Sequence, residues 1–169
     1  MGGRLFFTRK FAMRLTDYTD YALRVLMHLG SYPGKTITIR EIATVHGISH
    51  NHLSKIVNHL GLLGIIHTLR GRAGGIQLGR PPEQIMLGAV IRLTEPDFKM
   101  VECFSERDNT CVLAGRCKLK RLLADATGAY LEKLDQVPLS ALLSLSQLPD
   151  APSLSPIFLS KCPHVLPPA

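Results

Sequence analysis

Residues 38–60 read TIREIATVHGISHNHLSKIVNHL. Thr38 and Glu41 stand at the spacing of a capping box, where a hydroxyl and a carboxylate satisfy each other's free amide donors at a helix start. A short helix is expected to follow, with Ile42, Ala43 and Val45 turned inward, and Gly47 breaks it. Ser49 is the next N-cap candidate. It opens a helix with Leu53, Ile56, Val57 and Leu60 on one stripe. Asn51, His52, Lys55 and Asn58 lie away from that stripe. A short helix, a turn with glycine and a second helix with a polar outer face make a helix-turn-helix pattern.

The chain on either side extends this unit. Downstream, Ile65–Thr68 and Ile76–Leu78 read as two short strands around Leu69-Arg70-Gly71-Arg72-Ala73-Gly74-Gly75. Glycine supplies the turn conformations and keeps the backbone slim. The unit is a winged helix with arginines at the wing tip. Upstream, Tyr18, Tyr21, Ala22, Val25, Leu26 and Leu29 recur at helical spacing over 17–29, and Gly30 and Pro33 end that helix. Pro81-Pro82-Glu83 starts a further helix, apolar at Ile85, Met86, Ala89, Val90 and Leu93, and Glu95-Pro96 ends it.

Beyond residue 96 the pattern changes. Residues 97–116 show no sustained period and read as a loop. From 117 to 137 the helical period returns with Leu119, Leu122, Leu123, Ala126, Tyr130, Leu131 and Leu134. That is ~30 Å of helix. The short elements of one small domain cannot cover it, so it is expected to pair with a second copy. A short helix fits 139–145, and residues 138–169 hold 7 of the chain's 11 prolines. The expected organisation is a leader at 1–12, untranslated or disordered; a winged-helix DNA-binding domain at 13–96; a cysteine cluster loop at 97–117; a dimerisation helix and short following helix at 118–145; and a Pro-rich flexible tail at 146–169. The fold class is mainly α with a small β wing.

Charge divides along the same line. Residues 1–80 carry 11 Lys/Arg against 3 acids, whereas residues 81–169 carry 9 against 10. All of the excess positive charge in a 169-residue chain of net charge +7 therefore lies in the first half, which points to a polyanionic partner. Phosphate contacts need cations and base contacts need forked donors and acceptors on a groove-sized helix. Ser49, Asn51, His52 and Lys55 near the start of the second helix, with Arg70 and Arg72 on the wing, are the candidate DNA-binding residues. No apolar run approaches the ~20 residues that span a bilayer, so no membrane partner is expected. Phe6-Phe7 is too short for a signal-peptide core, and the protein is expected in the cytoplasm. No nucleophile–base–orienter set and no phosphate loop are present, which argues against an enzyme.

Cys103, Cys111 and Cys117 form the second constellation. In a cytosolic protein they read as ligands or reactive thiols rather than disulfides. The spacing Cys-x7-Cys-x5-Cys is looser than that of common zinc or ferredoxin modules. Cys117 begins a helix, where the macrodipole favours thiolate. Lys118, Lys120 and Arg121 would offset an anionic cluster. Three thiolates leave a tetrahedral set one ligand short. Incidental cysteines and a thiol redox switch are the competing readings of the same residues. His46, His50, His52 and His59 are compatible with exposed helix positions and lack the company of cysteines or clustered carboxylates that a metal site needs.

The opening MRLTDYTDYALR at 13–24, the helix-turn-helix over 41–60, the wing RGRAGG at 70–75 and the segment Val101-Glu102-Cys103 … Asn109-Thr110-Cys111 … Cys117-Lys118-Leu119-Lys120 together resemble the iron–sulfur winged-helix repressor family. That family includes cluster-assembly regulators of the IscR kind, and the cysteine segment is most similar to its nitric-oxide-sensing, NsrR-like branch. The resemblance covers about 13–142. It implies a homodimeric repressor that binds palindromic double-stranded DNA and holds one iron–sulfur cluster per subunit through Cys103, Cys111 and Cys117. A 4Fe–4S cluster is implied, with 2Fe–2S as the alternative. It also implies a fourth ligand from the first helix of the partner subunit, which here falls on Asp20. Nitric oxide is the implied signal. No histidine lies between Cys103 and Lys161, which counts against a cysteine–histidine set, and Cys162 is a further sulfur donor in the tail. The alternatives are a related regulator of iron–sulfur supply or redox state and, in a different class, a zinc-stabilised protein-interaction module.

Overall fold

The computed structural model describes residues 14–71, 74–105, 109–113 and 115–143. The leader, the tail, Arg72 and Cys162 lie outside the described residues. Three helices open the fold: α1 (Asp17–Gly30), α2 (Ile39–His46) and α3 (His50–Leu62). The first two begin at side-chain caps. Thr16 caps α1 by accepting from the Thr19 amide. The Thr38–Glu41 capping box starts α2 with both of its hydrogen bonds in place. Gly47 ends α2 at φ +63°, a backbone conformation that L side chains rarely adopt. Ser49 occupies the N-cap position of α3 without a side-chain capping hydrogen bond.

The apolar stripes meet in one core. Ala22, Val25, Leu26 and Leu29 of α1, Ile42 of α2, and Leu53, Ile56, Val57 and Leu60 of α3 are all buried together. The wing follows as β1 (Ile66–Leu69) paired antiparallel with β2 (Gly75–Leu78), in a register that sets Ile66 opposite Leu78 and Leu69 opposite Gly75. β1 starts one residue later than the sequence suggests because the Ile65 amide bonds to the Leu60 carbonyl at 2.9 Å, closing the end of α3. A third rung comes from the loop before α2. Ile37 and Ile76 exchange backbone hydrogen bonds at 3.1 and 2.8 Å. Gly75 permits this approach, since a Cβ there would fall 2.7 Å from the Ile37 carbonyl oxygen.

The helix expected from Pro81 is interrupted. A single 3-10 turn spans Pro82–Gln84, Ile85 is extended, and α4 runs Leu87–Thr94. The cause is a contact remote in sequence. The Leu139 amide bonds to the Ile85 carbonyl at 2.8 Å, and the Leu87 amide bonds to the Val137 carbonyl at 2.9 Å. Ile85 and Leu139 thereby enter the core, with Leu139 wholly buried.

The long helix α5 (Lys118–Asp135) is held against the rest at its C-terminal end. Arg92 of α4 and Asp135 form a two-pronged ion pair, in which Nη2 donates to Oδ2 at 2.8 Å. Gly88 leaves the room for it, because a Cβ there would meet the Asp135 backbone nitrogen at 2.7 Å. The last described element, α6 (Ser140–Leu143), packs on the end of α1, where Gly30 accommodates Leu143. No residue of α5 is buried, and Leu119, Leu122 and Tyr130 stand exposed along it. Among the described residues no helix is long and apolar enough to cross a membrane.

Candidate nucleic-acid interface and cysteine segment

The buried stripe of α3 fixes what its other side offers. Leu53, Ile56, Val57 and Leu60 point into the core, so Asn51, His52, Lys55 and Asn58 are turned to solvent. Ser49 is exposed at the start of the same helix. Amide, imidazole and ammonium groups within about one turn supply donors and acceptors for base edges and phosphates. Arg70 follows β1 and is exposed on the wing. The wing is braced against α3 by Arg80, whose Nη2 donates to the Leu63 carbonyl at 2.8 Å and whose Nε donates to the Gly64 carbonyl at 3.2 Å. This guanidinium satisfies carbonyls just past the helix end, a positioning role that the sequence did not signal.

The histidines separate into two kinds. His50 and His52 are exposed, as expected, but His46 and His59 are half-buried and hydrogen-bonded to α1. His46 pairs with His28, and His59 with the hydroxyl of Tyr18 at 2.8 Å. Burial raises the pKa of Tyr18 above the ordinary tyrosine value. The departure from uniform exposure follows from helix–helix packing, since α1 crosses both α2 and α3 and covers one face of each.

The cysteine segment departs from α4 through Glu95, whose carboxylate accepts from the amide of Thr16 at 2.7 Å. Cys103 is buried in a single 3-10 turn, Glu102–Phe104. Glu102 Oε1 accepts from the amide and hydroxyl of Thr110 at 2.6 and 2.7 Å. Glu102 precedes Cys103 and Thr110 precedes Cys111, so these bonds draw two cysteine-bearing stretches alongside each other. They also hold the Glu102 carboxyl below the ordinary glutamate pKa. Cys117 caps α5, with its Sγ accepting from the Lys120 amide at 3.4 Å. The positive end of the helix macrodipole therefore faces that sulfur. Cys103, Cys111 and Cys117 are all free thiols. Among the described residues no three His, Cys, Asp or Glu side chains converge into a metal-holding group. The cysteines are thus neighbours on one segment without being gathered at one point.

Asp20 lies on the first turn of α1, half-exposed, and pairs with Arg24 at 2.7 Å. A groove of about 690 Å³ runs beside that turn, lined by Arg14, Leu15 and Thr16 on one side and Ala126, Thr127 and Tyr130 of α5 on the other.

Residues 15–144 match the family Rrf2, described as an iron-dependent transcriptional regulator. The chain belongs to the Rrf2 family. It is similar to two relatives named HTH-type transcriptional regulator NsrR. The one from Halalkalibacterium halodurans is 47% identical over 133 residues, which are 78% of this chain and 91% of the relative. The one from Bacillus subtilis is 49% identical over 132 residues, 78% of this chain and 90% of the relative. A solved structure of a transcriptional regulator from Listeria innocua is similar at a TM-score of 0.65 and 30% identity, covering 79% of this chain and 88% of that one. Rrf2 proteins are transcriptional regulators rather than enzymes, and the winged helix with its long helix is the architecture this chain shares with them.

Proposed function

We propose that this Rrf2 protein is an iron–sulfur transcriptional repressor that binds a palindromic DNA operator as a homodimer and leaves it when nitric oxide reacts with its cluster. The observation that carries this reading is the position of three free thiols on the one segment joining the DNA-reading head to an α5 without a buried side. The NsrR name of the relatives at 47–49% identity supports it. The donor set suits the group: three soft sulfurs, one of them facing a helix N-terminus and its positive dipole. Cys103, Cys111 and Cys117 would hold the cluster, with Asp20 of the first helix as the fourth ligand reaching across to the partner subunit. The cluster, when bound, supplies iron that nitric oxide can attack in place of protein ligands.

The remaining roles fall to the chain. The exposed side of α5, with Leu119, Leu122 and Tyr130, would pair about a twofold axis and bury apolar surface in the dimer. The two α3 helices would then enter major grooves about one helical turn apart, ~34 Å. Ser49, Asn51, His52 and Lys55 would read bases and phosphates from α3. Arg70 and Arg72 would reach the adjacent backbone or a narrow minor groove from the wing.

The test is anaerobic purification followed by iron and sulfide analysis, and then a DNA-binding titration with and without nitric oxide. The expected protein is brown, carries both elements, and loses DNA on nitric oxide addition. Cys111→Ala is expected to lose cluster and regulated binding while keeping its helical content. A colourless protein carrying zinc removes the cluster and favours the protein-interaction reading. A cluster that responds to oxygen or iron supply but not to nitric oxide favours the sister-regulator reading.

A further inference from the structure

The first turn of α1 is tied in two directions by side chains that neither DNA nor cysteine chemistry has used so far. At its start, the Glu95 carboxylate accepts from the Thr16 amide at 2.7 Å and from the Thr16 hydroxyl at 3.2 Å. Glu95 closes α4 and leads straight into the cysteine segment. Half a turn on, the Tyr18 hydroxyl is hydrogen-bonded to Nδ1 of His59 at 2.8 Å, with the two rings 6.0 Å apart and tilted by 43°. His59 lies in the last turn of α3, the helix that carries Asn51, His52 and Lys55. One turn of backbone thus touches the cysteine side through Glu95 and the DNA-reading helix through Tyr18.

Tyr18 and Asp20 are two residues apart, which places them about 200° apart round the helix. Tyr18 is turned towards α3, and Asp20 is half-exposed, paired with Arg24. A pull on Asp20 from outside the protomer is therefore transmitted through the same helical turn to Tyr18. α3 is a 13-residue helix and moves as a rod of ~20 Å, so a shift at His59 reappears at the reading residues near its start. The open groove beside the first turn leaves space for that displacement.

We infer that the Tyr18–His59 hydrogen bond is the positioning contact through which the state of the cysteine segment and Asp20 sets the orientation of α3 on DNA. The inference rests on the proposed function, because it assumes that a bound cluster and its loss are the two states being transmitted. Tyr18 and His59 touch neither DNA nor metal in this scheme. Their task is to make α1 and α3 move together.

The test compares wild type with Tyr18→Phe, which keeps the ring and removes only the hydroxyl, and with His59→Gln. Each protein is prepared anaerobically and analysed for iron and sulfide. Affinity is then measured in cluster-loaded and cluster-free forms for a duplex selected from a random library by the loaded wild type. Coupled sites typically change each other's affinity on the order of 5–150-fold. The wild-type ratio of loaded to cluster-free affinity is expected in that range. Tyr18→Phe is expected to keep wild-type iron and sulfide while its ratio falls towards one. Amide hydrogen exchange in α3 should differ between loaded and cluster-free wild type and not in Tyr18→Phe. Ile85→Val, a core change on neither α1 nor α3, should lower thermal stability without altering the ratio, so a merely structural role is told apart. A Tyr18→Phe protein with iron, sulfide and the full wild-type ratio overturns the inference. Wild-type protein lacking iron and sulfide fails the proposed function at its first step and overturns the coupling with it.

Discussion

Nδ1 of His28 and Nε2 of His46 stand 3.1 Å apart across the contact between α1 and α2. One ring must donate and the other accept, so a single proton lies between two neutral imidazoles. Burial lowers the pKa of His28 against the opposing pull of Glu41. Burial, then the charges of His28 and Arg24, lowers that of His46 to about 4, with Asp20 opposing. The helix-turn-helix is therefore joined to α1 by a pair that disfavours a second proton.

Stability should fall in acid for this reason. Both groups bind protons more readily in the unfolded chain, so unfolding gains as pH drops. The pair's contribution is complete above the ordinary histidine pKa of 6.5 and is lost as pH falls from there through about 4. Urea unfolding is expected to become progressively easier as pH falls across that window, and His46→Gln should flatten the curve. Glu41 contributes separately. Its capping hydrogen bonds from Thr38 hold its carboxyl below 4.5, so its share is lost only at lower pH. A wild-type profile that stays level from about pH 7 to about pH 4.5 contradicts the assignment.

Gly88→Ala should loosen α5 from α4. The added methyl meets the Asp135 backbone, which cannot swing aside as a flexible side chain would. The expected cost is about 1–3 kcal/mol, the range for overpacking a tight contact, together with loss of the Arg92–Asp135 pair. Arg92→Ala should cost less, because that pair is partly exposed. Thermal unfolding of the two variants ranks them, and the reverse order refutes the backbone argument.

Acidic substitutions on the exposed side of α5 should split the proposed dimer and spare the fold. Leu119 and Leu122 are 57% and 64% exposed, so Leu119→Glu/Leu122→Glu removes little packing within a protomer. Sedimentation velocity is expected to report a monomer whose melting temperature is close to that of the parent protomer. A double variant that remains dimeric places the interface elsewhere.

Lys55→Ala and Arg70→Ala should each weaken DNA binding almost uniformly across sequences and reduce the slope of log affinity against log salt by about 1. Asn51→Ala should instead relax sequence preference at one position, at about 1–3 kcal/mol. Fluorescence anisotropy over a salt series separates the two behaviours. An unchanged slope for Arg70→Ala removes the wing from the phosphate contacts.

Much of this fold is legible in the sequence. The Thr38–Glu41 box, the stripe of α3 and the glycines of the wing are local signals, and each is realised within a residue or two. What escaped the sequence is whatever depends on a distant partner. Ile37 contributes a single rung to the wing, too short to leave a periodic trace. Ile85 reads as helical by spacing and is extended because Val137 and Leu139 bond across it. His46 and His59 look like surface residues until α1 is laid over them. The cysteines announced themselves by type, but the Glu102–Thr110 clasp beside them pairs residues that carry no shared motif.

The return of the chain at Val137–Leu139 has a consequence for how the protein is made. The reading head is encoded well before Leu139, yet Leu139 is wholly buried in its core. Domains begin to fold as they emerge during synthesis. This one lacks its last apolar plug until the ribosome has extruded nearly all of the described chain, so a stalled nascent polypeptide ending in α5 would carry a recognition helix on an unfinished base.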